Sequence, residues 1–148
     1  MAAPTQEVST LGFYQRIGTA LGIKSVQSDT DLIHHVEARL PVRTITALVK
    51  GGLTEDEIYS LIIPRRTLSH RKTKREPLTR EESDRAVRVG RVLVLAEGVF
   101  GEKSKALSWL RKPKRHFEDR PPLQLLGTDV GSRAVEELLY QIDYGMAA

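Results

Sequence analysis

The stretch TEDEIYSLIIPRRTLSHRKTKR, residues 54–75, decides the reading of the fold. It opens on a capping box: the Thr54 hydroxyl can serve the backbone N–H of Glu57, and the Glu57 carboxylate can reach back to the N–H of Thr54. A short helix starts there, with Ile58, Leu61 and Ile62 as its buried face. Pro64 interrupts it, because proline cannot continue a helix behind it but suits the first turn of a new one. A helix–turn–helix junction at residues 62–65 follows, and the basic run 65–75 becomes the second helix of the pair.

On that second helix Leu68 is the only sizeable apolar side chain and should point inward. Six of the eleven residues 65–75 are Lys or Arg and none is acidic. The whole chain is +4 and the run is +6, which leaves −2 elsewhere, so the basic character is local. A local cationic patch is what contact with a phosphate backbone requires. Arg65, Arg66, Ser69, Arg71 and Lys72 fall on or near the exposed side, and Thr67, His70 and Lys74 complete the candidate DNA-contacting set. One anchor in the core and long donors outside is the arrangement of a recognition helix, and the arginine fork can bond guanine O6 and N7 together. The same pattern also suits a basic helix packed on an acidic partner protein.

Upstream, residues 1–9 are small and polar and read as a loose arm. Leu11, Tyr14, Ile17 and Leu21 suit a short helix ending at Gly22. Residues 28–31 supply N-cap chemistry for a stripe of Leu32, Ile33, Val36 and Leu40, which Pro41 ends. Val42, Ile45, Leu48 and Val49 form the next stripe, stopped by a left-handed cap at Gly51-Gly52.

Downstream, Thr79 and Glu82 form a second capping box, opening a long helix through Ala86, Val89, Leu93, Ala96 and Phe100 to Gly101. Val87, Val92, Val94, Leu95 and Val99 widen its apolar face well beyond one stripe, which implies burial on several sides. Burial by a second protomer would meet that need, with Val89, Val92, Leu93 and Ala96 as dimerisation residues. A shorter helix carries Ala106, Trp109 and Leu110, with Trp109 read as a core anchor. The nearby Lys112, Lys114, Arg115 and His116 read as a solvated turn. Pro121-Pro122 restarts the chain, and the last helix holds Ala134, Val135, Leu138, Leu139 and Ile142 on one side. From residue 116 onward six acidic residues face two arginines, so the middle of the chain is cationic and its end anionic.

Several function classes are disfavoured. The chain has 148 residues and no cysteine, which excludes disulfides, thiol catalysis and Cys-based zinc sites. No apolar stretch nears the roughly 18 residues a membrane span needs, so a cytoplasmic protein without membrane contact is expected. There is no Gly-rich phosphate loop. His34 and His35 are adjacent on a helix, where their side chains diverge by about 100° and cannot share one metal. No catalytic residue, metal site or cofactor is expected.

The second half carries a more specific pattern. It runs through Ala96, Val99-Phe100-Gly101, Ala106, Trp109-Leu110 and Pro113. It continues through Pro122-Leu123, Leu125-Leu126, Thr128, Gly131, Val135, Leu139, Ile142 and Gly145. In order and spacing these resemble the toxin-binding domain of Xre/MbcA/ParS-type antitoxins. The resemblance implies a bacterial type II antitoxin whose partner is a RES-domain toxin, a class similar to ADP-ribosyltransferases that consumes NAD⁺. It implies that the antitoxin occludes the toxin's active site and represses its own operon by binding double-stranded promoter DNA, as a homodimer or in a higher assembly with the toxin. The usual Gln-x-x-x-Ala-x-x-x-Gly signature of Xre helix–turn–helix domains is absent from the first half.

The expected fold is therefore all-α. Residues 1–28 form an arm and short helix, 29–77 a helix-turn-helix-like (Xre-like) DNA-binding domain, and 78–148 a small helical domain for dimerisation and toxin binding. The expected toxin contacts are Arg133, Glu137, Tyr140, Gln141, Tyr144, Met146, Ala147 and Ala148. The acidic surface there would match a cationic NAD-binding cleft. A different reading is a stand-alone DNA-binding transcriptional regulator or polar-localisation adaptor that uses its second half only to oligomerise.

Overall fold

A computed structural model describes the backbone of residues 6–145, with side chains from residue 10 onward. The described chain is helical: α1 (Gln6–Leu21), α2 (Asp29–Glu37), α3 (Arg43–Lys50), α4 (Glu55–Leu61), α5 (Arg65–Lys74), α6 (Arg80–Phe100), α7 (Lys103–Arg111) and α8 (Asp129–Asp143). Two 3-10 turns, Arg115–Phe117 and Pro122–Gly127, lie between α7 and α8. The first helix already runs from Gln6, so residues 6–9 are not a loose arm; the rest of that expected arm lies outside the described residues.

The long helix α6 is the axis of the molecule. Both capping boxes form as expected, at Thr54–Glu57 for α4 and at Thr79–Glu82 for α6. From its cap α6 runs 21 residues, about 30 Å at 1.5 Å per residue, to Gly101. Helices α1, α2, α3, α7 and α8 all pack on it. Its residue Gly90 lets α1 come close, since a Cβ there would stand 2.9 Å from Leu21 Cδ2.

This arrangement corrects the dimerisation assignment. Val89, Val92 and Ala96 are fully buried by the chain's own helices, and Leu93 is half-buried against the same core. The apolar residues all round α6 signal the central helix of one protomer, not a surface waiting for a second. One hydrophobic cluster extends from Ile17 and Leu21 through Leu48, Ile58 and Val89 to Leu110, Leu126 and Leu139, so the core crosses every part of the chain.

The α2–α3 connection also departs from the periodicity. Leu40 continues the stripe of α2 in sequence, but the helix stops at Glu37 and Arg39 turns left-handed with φ 68°. Leu40 is buried all the same, with its N–H donating to Ser83 Oγ at 2.9 Å and its C=O accepting from the Leu78 N–H at 2.9 Å. Those bonds to the segment before and inside α6 give the loop backbone what a helix would have given it. Ile33, placed on the same stripe, instead faces outward at 56% exposure. Farther along the chain, the Thr128 hydroxyl accepts from the Gly131 N–H at 3.0 Å and starts α8.

Candidate nucleic-acid and partner interfaces

Helices α4 and α5 form the expected pair, joined by Ile62, Ile63 and Pro64. Ile62 and Ile63 are buried, and the Arg85 Nε of α6 donates to the Ile62 carbonyl at 2.9 Å, fixing the turn. Pro64 stands as the N-cap of α5, and Leu68 is buried as the sequence predicts. A second anchor lies one turn on. Arg71 makes a bidentate pair with Glu82 at the start of α6, with Nε and the terminal nitrogen each 3.2 Å from a carboxylate oxygen. Glu76 adds a contact to the same guanidinium at 3.6 Å.

The pair corrects the placement of Arg71, which was expected free on the exposed side. Its side chain is only 17% exposed and turned toward the body of the protein. The reason is tertiary: Leu68 and Arg71 are three apart and share a face, so burying one brings the other over the N-terminus of α6. The Glu82 hydrogen bonds, aided by the charges of Glu82 and Glu76, raise the Arg71 pKa above its ordinary value against the cost of burial. Burial works against the Glu82 carboxylate, but the Arg71 guanidinium and the Thr79 N–H outweigh it and hold its pKa below the ordinary glutamate value.

With Leu68 and Arg71 inward, the helical repeat of about 100° per residue sorts the rest of α5. Arg66, Ser69 and His70 point away from the body, and all three are exposed. Thr73, absent from the sequence-based set, shares that outer face and donates its hydroxyl proton to the Ser69 carbonyl at 3.1 Å. Arg65, Lys72 and Lys74 are exposed along the flanks, and Thr67 is half-buried. Outer side chains can reach base edges and flanking cations can reach phosphates.

The second candidate surface is on α8. Arg133, Glu137, Tyr140, Gln141 and Tyr144 line one shallow depression, so five of the residues chosen for a partner contact are brought together. Tyr140 and Tyr144 are 40% and 74% exposed there. Arg133 also pairs with Asp129 at 3.0 Å on the helix surface. Met146, Ala147 and Ala148 lie outside the described residues.

Two residues of this depression were missed by sequence reasoning, Arg91 of α6 and Glu136 of α8. Arg91 Nε donates to Glu136 Oε1 at 2.9 Å, and its NH1 donates to Asp29 Oδ1 on α2 at 2.8 Å. The same guanidinium stands 5.4 Å from the centre of the Phe13 ring. Burial lowers its pKa, but the hydrogen bonds it donates to Glu136 and Asp29 outweigh that and raise it well above the ordinary arginine value. No local spacing signals a contact between residues 45 and 62 positions apart.

Elsewhere, Trp109 is half-buried against Phe100 with ring centres 5.3 Å apart, and the Lys114 ammonium lies 5.1 Å over its indole. Among the described residues no group of His, Asp and Glu side chains could hold a metal, and no helix is long and apolar enough to cross a membrane.

Comparison with known proteins divides the chain along α6. Residues 31–91 match the family described as the antitoxin Xre-like helix-turn-helix domain. Residues 95–145 match that of the antitoxin Xre/MbcA/ParS C-terminal toxin-binding domain. Antitoxin Xre of Pseudomonas putida is 37% identical over 130 residues, covering 88% of this chain and 82% of that protein. Antitoxin Xre of Yersinia enterocolitica is 36% identical over 146 residues, covering 97% and 95%. Antitoxin Xre of Photorhabdus laumondii is 32% identical over 84 residues, covering 56% and 57%.

Proposed function

Because the chain belongs to the Xre family of antitoxins, with a DNA-binding helix-turn-helix domain and a C-terminal toxin-binding domain, we propose how it divides that work. Helix α5 reads operator DNA, with Arg66, Ser69 and His70 toward the bases and Arg65, Lys72 and Lys74 on phosphates. Thr67 lies at the edge of that contact. The depression on α8 receives a RES-type, NAD⁺-consuming toxin and closes its active site, so the protein both neutralises the toxin and represses its own operon. DNA reading uses a homodimer, because one short helix binds weakly and half-site spacing supplies specificity. Pairing runs through a surface other than Val89, Val92 and Ala96, which are enclosed within the protomer.

The observation that carries the toxin-facing half is the gathering of Tyr140 and the C-cap residue Tyr144, with Arg133, Glu137 and Gln141, along the outer side of α8 and its end. Exposed tyrosines give large contact area at low entropic cost and are enriched where partners dock. Removing α8 altogether would not test this, since Val135, Leu138 and Leu139 on its inner face belong to the core. Surface substitutions test it instead. Tyr140→Ala with Tyr144→Ala should leave the thermal transition in place but fail to protect cells that express the toxin, with cellular NAD⁺ falling. Full protection and unchanged NAD⁺ in that double variant would overturn the assignment.

A further inference from the structure

We propose that Glu82, outside the DNA-reading helix, is a positioning residue for it: by gripping Arg71 it fixes the rotation of α5 and withdraws one cation from its DNA-facing surface. This rests on the proposed reading of operator DNA by α5 and concerns how that helix is aimed.

The Glu82 carboxylate is saturated from two directions. Its Oε1 accepts from the Thr79 N–H at 2.8 Å, which completes the cap of α6, and from Arg71 Nε at 3.2 Å. Its Oε2 accepts the second Arg71 bond at 3.2 Å. The residue is 5% exposed, so the carboxylate belongs to the interior and not to the solvent. The cap fixes the carboxylate to the backbone of α6, and the bidentate fork then fixes the direction of the Arg71 side chain, since a planar guanidinium accepts a carboxylate in one plane.

Helix α5 needs such a device. It is ten residues long with one buried apolar side chain, Leu68. One apolar anchor on the helix itself resists roll about its axis only weakly, and a roll of one residue, about 100°, would exchange the outer set for a flank. The second anchor at Arg71 stops the roll. The segment that joins α5 to α6 is itself pinned, with Arg39 Nε donating to the Leu78 carbonyl at 2.8 Å and a terminal nitrogen donating to the Pro77 carbonyl at 3.1 Å. The Leu78 N–H donates in turn to the Leu40 carbonyl at 2.9 Å. Glu82 therefore aims α5 from a fixed base.

The same device occurs once more and suggests that it is a means of joining helices. Glu57, the capping glutamate of α4, is gripped by Arg111 of α7 with bonds of 2.8 and 2.9 Å. There the capped helix precedes the recognition helix; at Glu82 the capped helix follows it.

The test uses the full chain, a duplex from the promoter of its own operon, and a shuffled duplex of equal length and composition. Glu82→Gln keeps an oxygen to accept from the Thr79 N–H but gives up the charge that holds Arg71. Promoter affinity should fall about tenfold. Affinity for the shuffled duplex should rise instead, and its log-affinity against log-salt slope should steepen by about 0.9 per protomer as Arg71 becomes available to a phosphate. Adding Arg71→Gln should return that slope to the parent value without restoring promoter preference. Should Glu82→Gln fold poorly, Arg71→Lys keeps the charge and gives up the fork, and the same loss of promoter preference is expected. Toxin neutralisation should be unchanged in each. Parental affinities and slopes in the variants, or equal losses on both duplexes, would make Glu82 a stabilising residue only and overturn the inference. A parent that does not distinguish the two duplexes would overturn the DNA-reading role of α5 itself, and the inference with it.

Discussion

Replacing glycine by alanine should have opposite effects at two positions of this chain. At Gly131, in the first turn of α8, a Cβ would stand 2.0 Å from the Leu125 carbonyl oxygen and 2.9 Å from Thr128 Oγ1. Real Cβ atoms essentially never come within 3.0 Å of another group, so the 3-10 turn and the start of α8 must part by at least 1.0 Å. The movement strains the cap in which Gly131 N–H donates to Thr128 Oγ1. Loss of such a cap costs about 1 kcal/mol. Overpacking against a fixed backbone costs about 1–3 kcal/mol. Helix propensity returns about 1 kcal/mol. Gly131→Ala should therefore destabilise by about 2 kcal/mol, a fall in Tm of roughly 6 °C for a chain of this size. At Gly98, exposed on α6, a Cβ meets nothing within 4 Å. Gly98→Ala should stabilise by about 0.5–1 kcal/mol and raise Tm by roughly 2 °C. Thermal unfolding followed by circular dichroism at 222 nm, the ordinary helix band, measures both. If Gly131→Ala melts with the parent, the packing of the 3-10 turn on α8 is not as described; if both variants shift the same way, the reasoning from local space fails.

Other outcomes follow from the same geometry. Arg65→Ala with Arg66→Ala should reduce promoter affinity and flatten its salt slope by about 0.9 for each phosphate no longer neutralised, leaving toxin binding intact; unchanged promoter affinity would remove α5 from the DNA interface. Thr44 is fully buried, and its hydroxyl has no hydrogen-bond partner among the described residues. Thr44→Val should therefore raise stability by about 1 kcal/mol in urea titration, and a loss would mean that the hydroxyl is satisfied. The carboxylates of Glu82 and Glu57 are pulled by burial toward higher pKa, but their arginines and caps win and hold both below the ordinary value. A depressed folded-state pKa means stability that is present above the unfolded value, about 4.3, and lost as pH falls through the folded value. Tm should hold from pH 7 to about 5 and drop below about 4.3, and Glu82→Gln should make that acid decline shallower; an identical decline would deny the pair its part in it.

Much of this architecture was legible in sequence, for identifiable reasons. Capping boxes work through residues three apart, so Thr54–Glu57 and Thr79–Glu82 announce themselves, and the helix starts they predict are where the helices start. Leu68 was legible because it stands alone among polar neighbours. The ordered residues from Ala96 to Gly145 carried the family resemblance, and the matches bear it out. The first half matches the Xre-like helix-turn-helix family although it lacks the usual signature. What local patterns could not carry were contacts between distant residues. Arg71 reads as one more cation in a basic run until Glu82 is seen beneath it. Arg91 has no motif, and its partners Asp29 and Glu136 come from opposite ends of the chain. The wide apolar surface of α6 was correctly read as buried, but periodicity does not say by whom, and the chain's own helices proved sufficient.

The regions matched by the two families meet between residues 91 and 95, in the middle of α6. A cut there would leave each piece with half a helix and an open apolar face at Val89, Val92 and Ala96. The two matched regions thus share one core helix and cannot be parted by a protease without exposing it. A nick within α6 should leave neither a folded helix-turn-helix fragment nor a folded toxin-binding fragment, so a single cleavage would disable both domains at once.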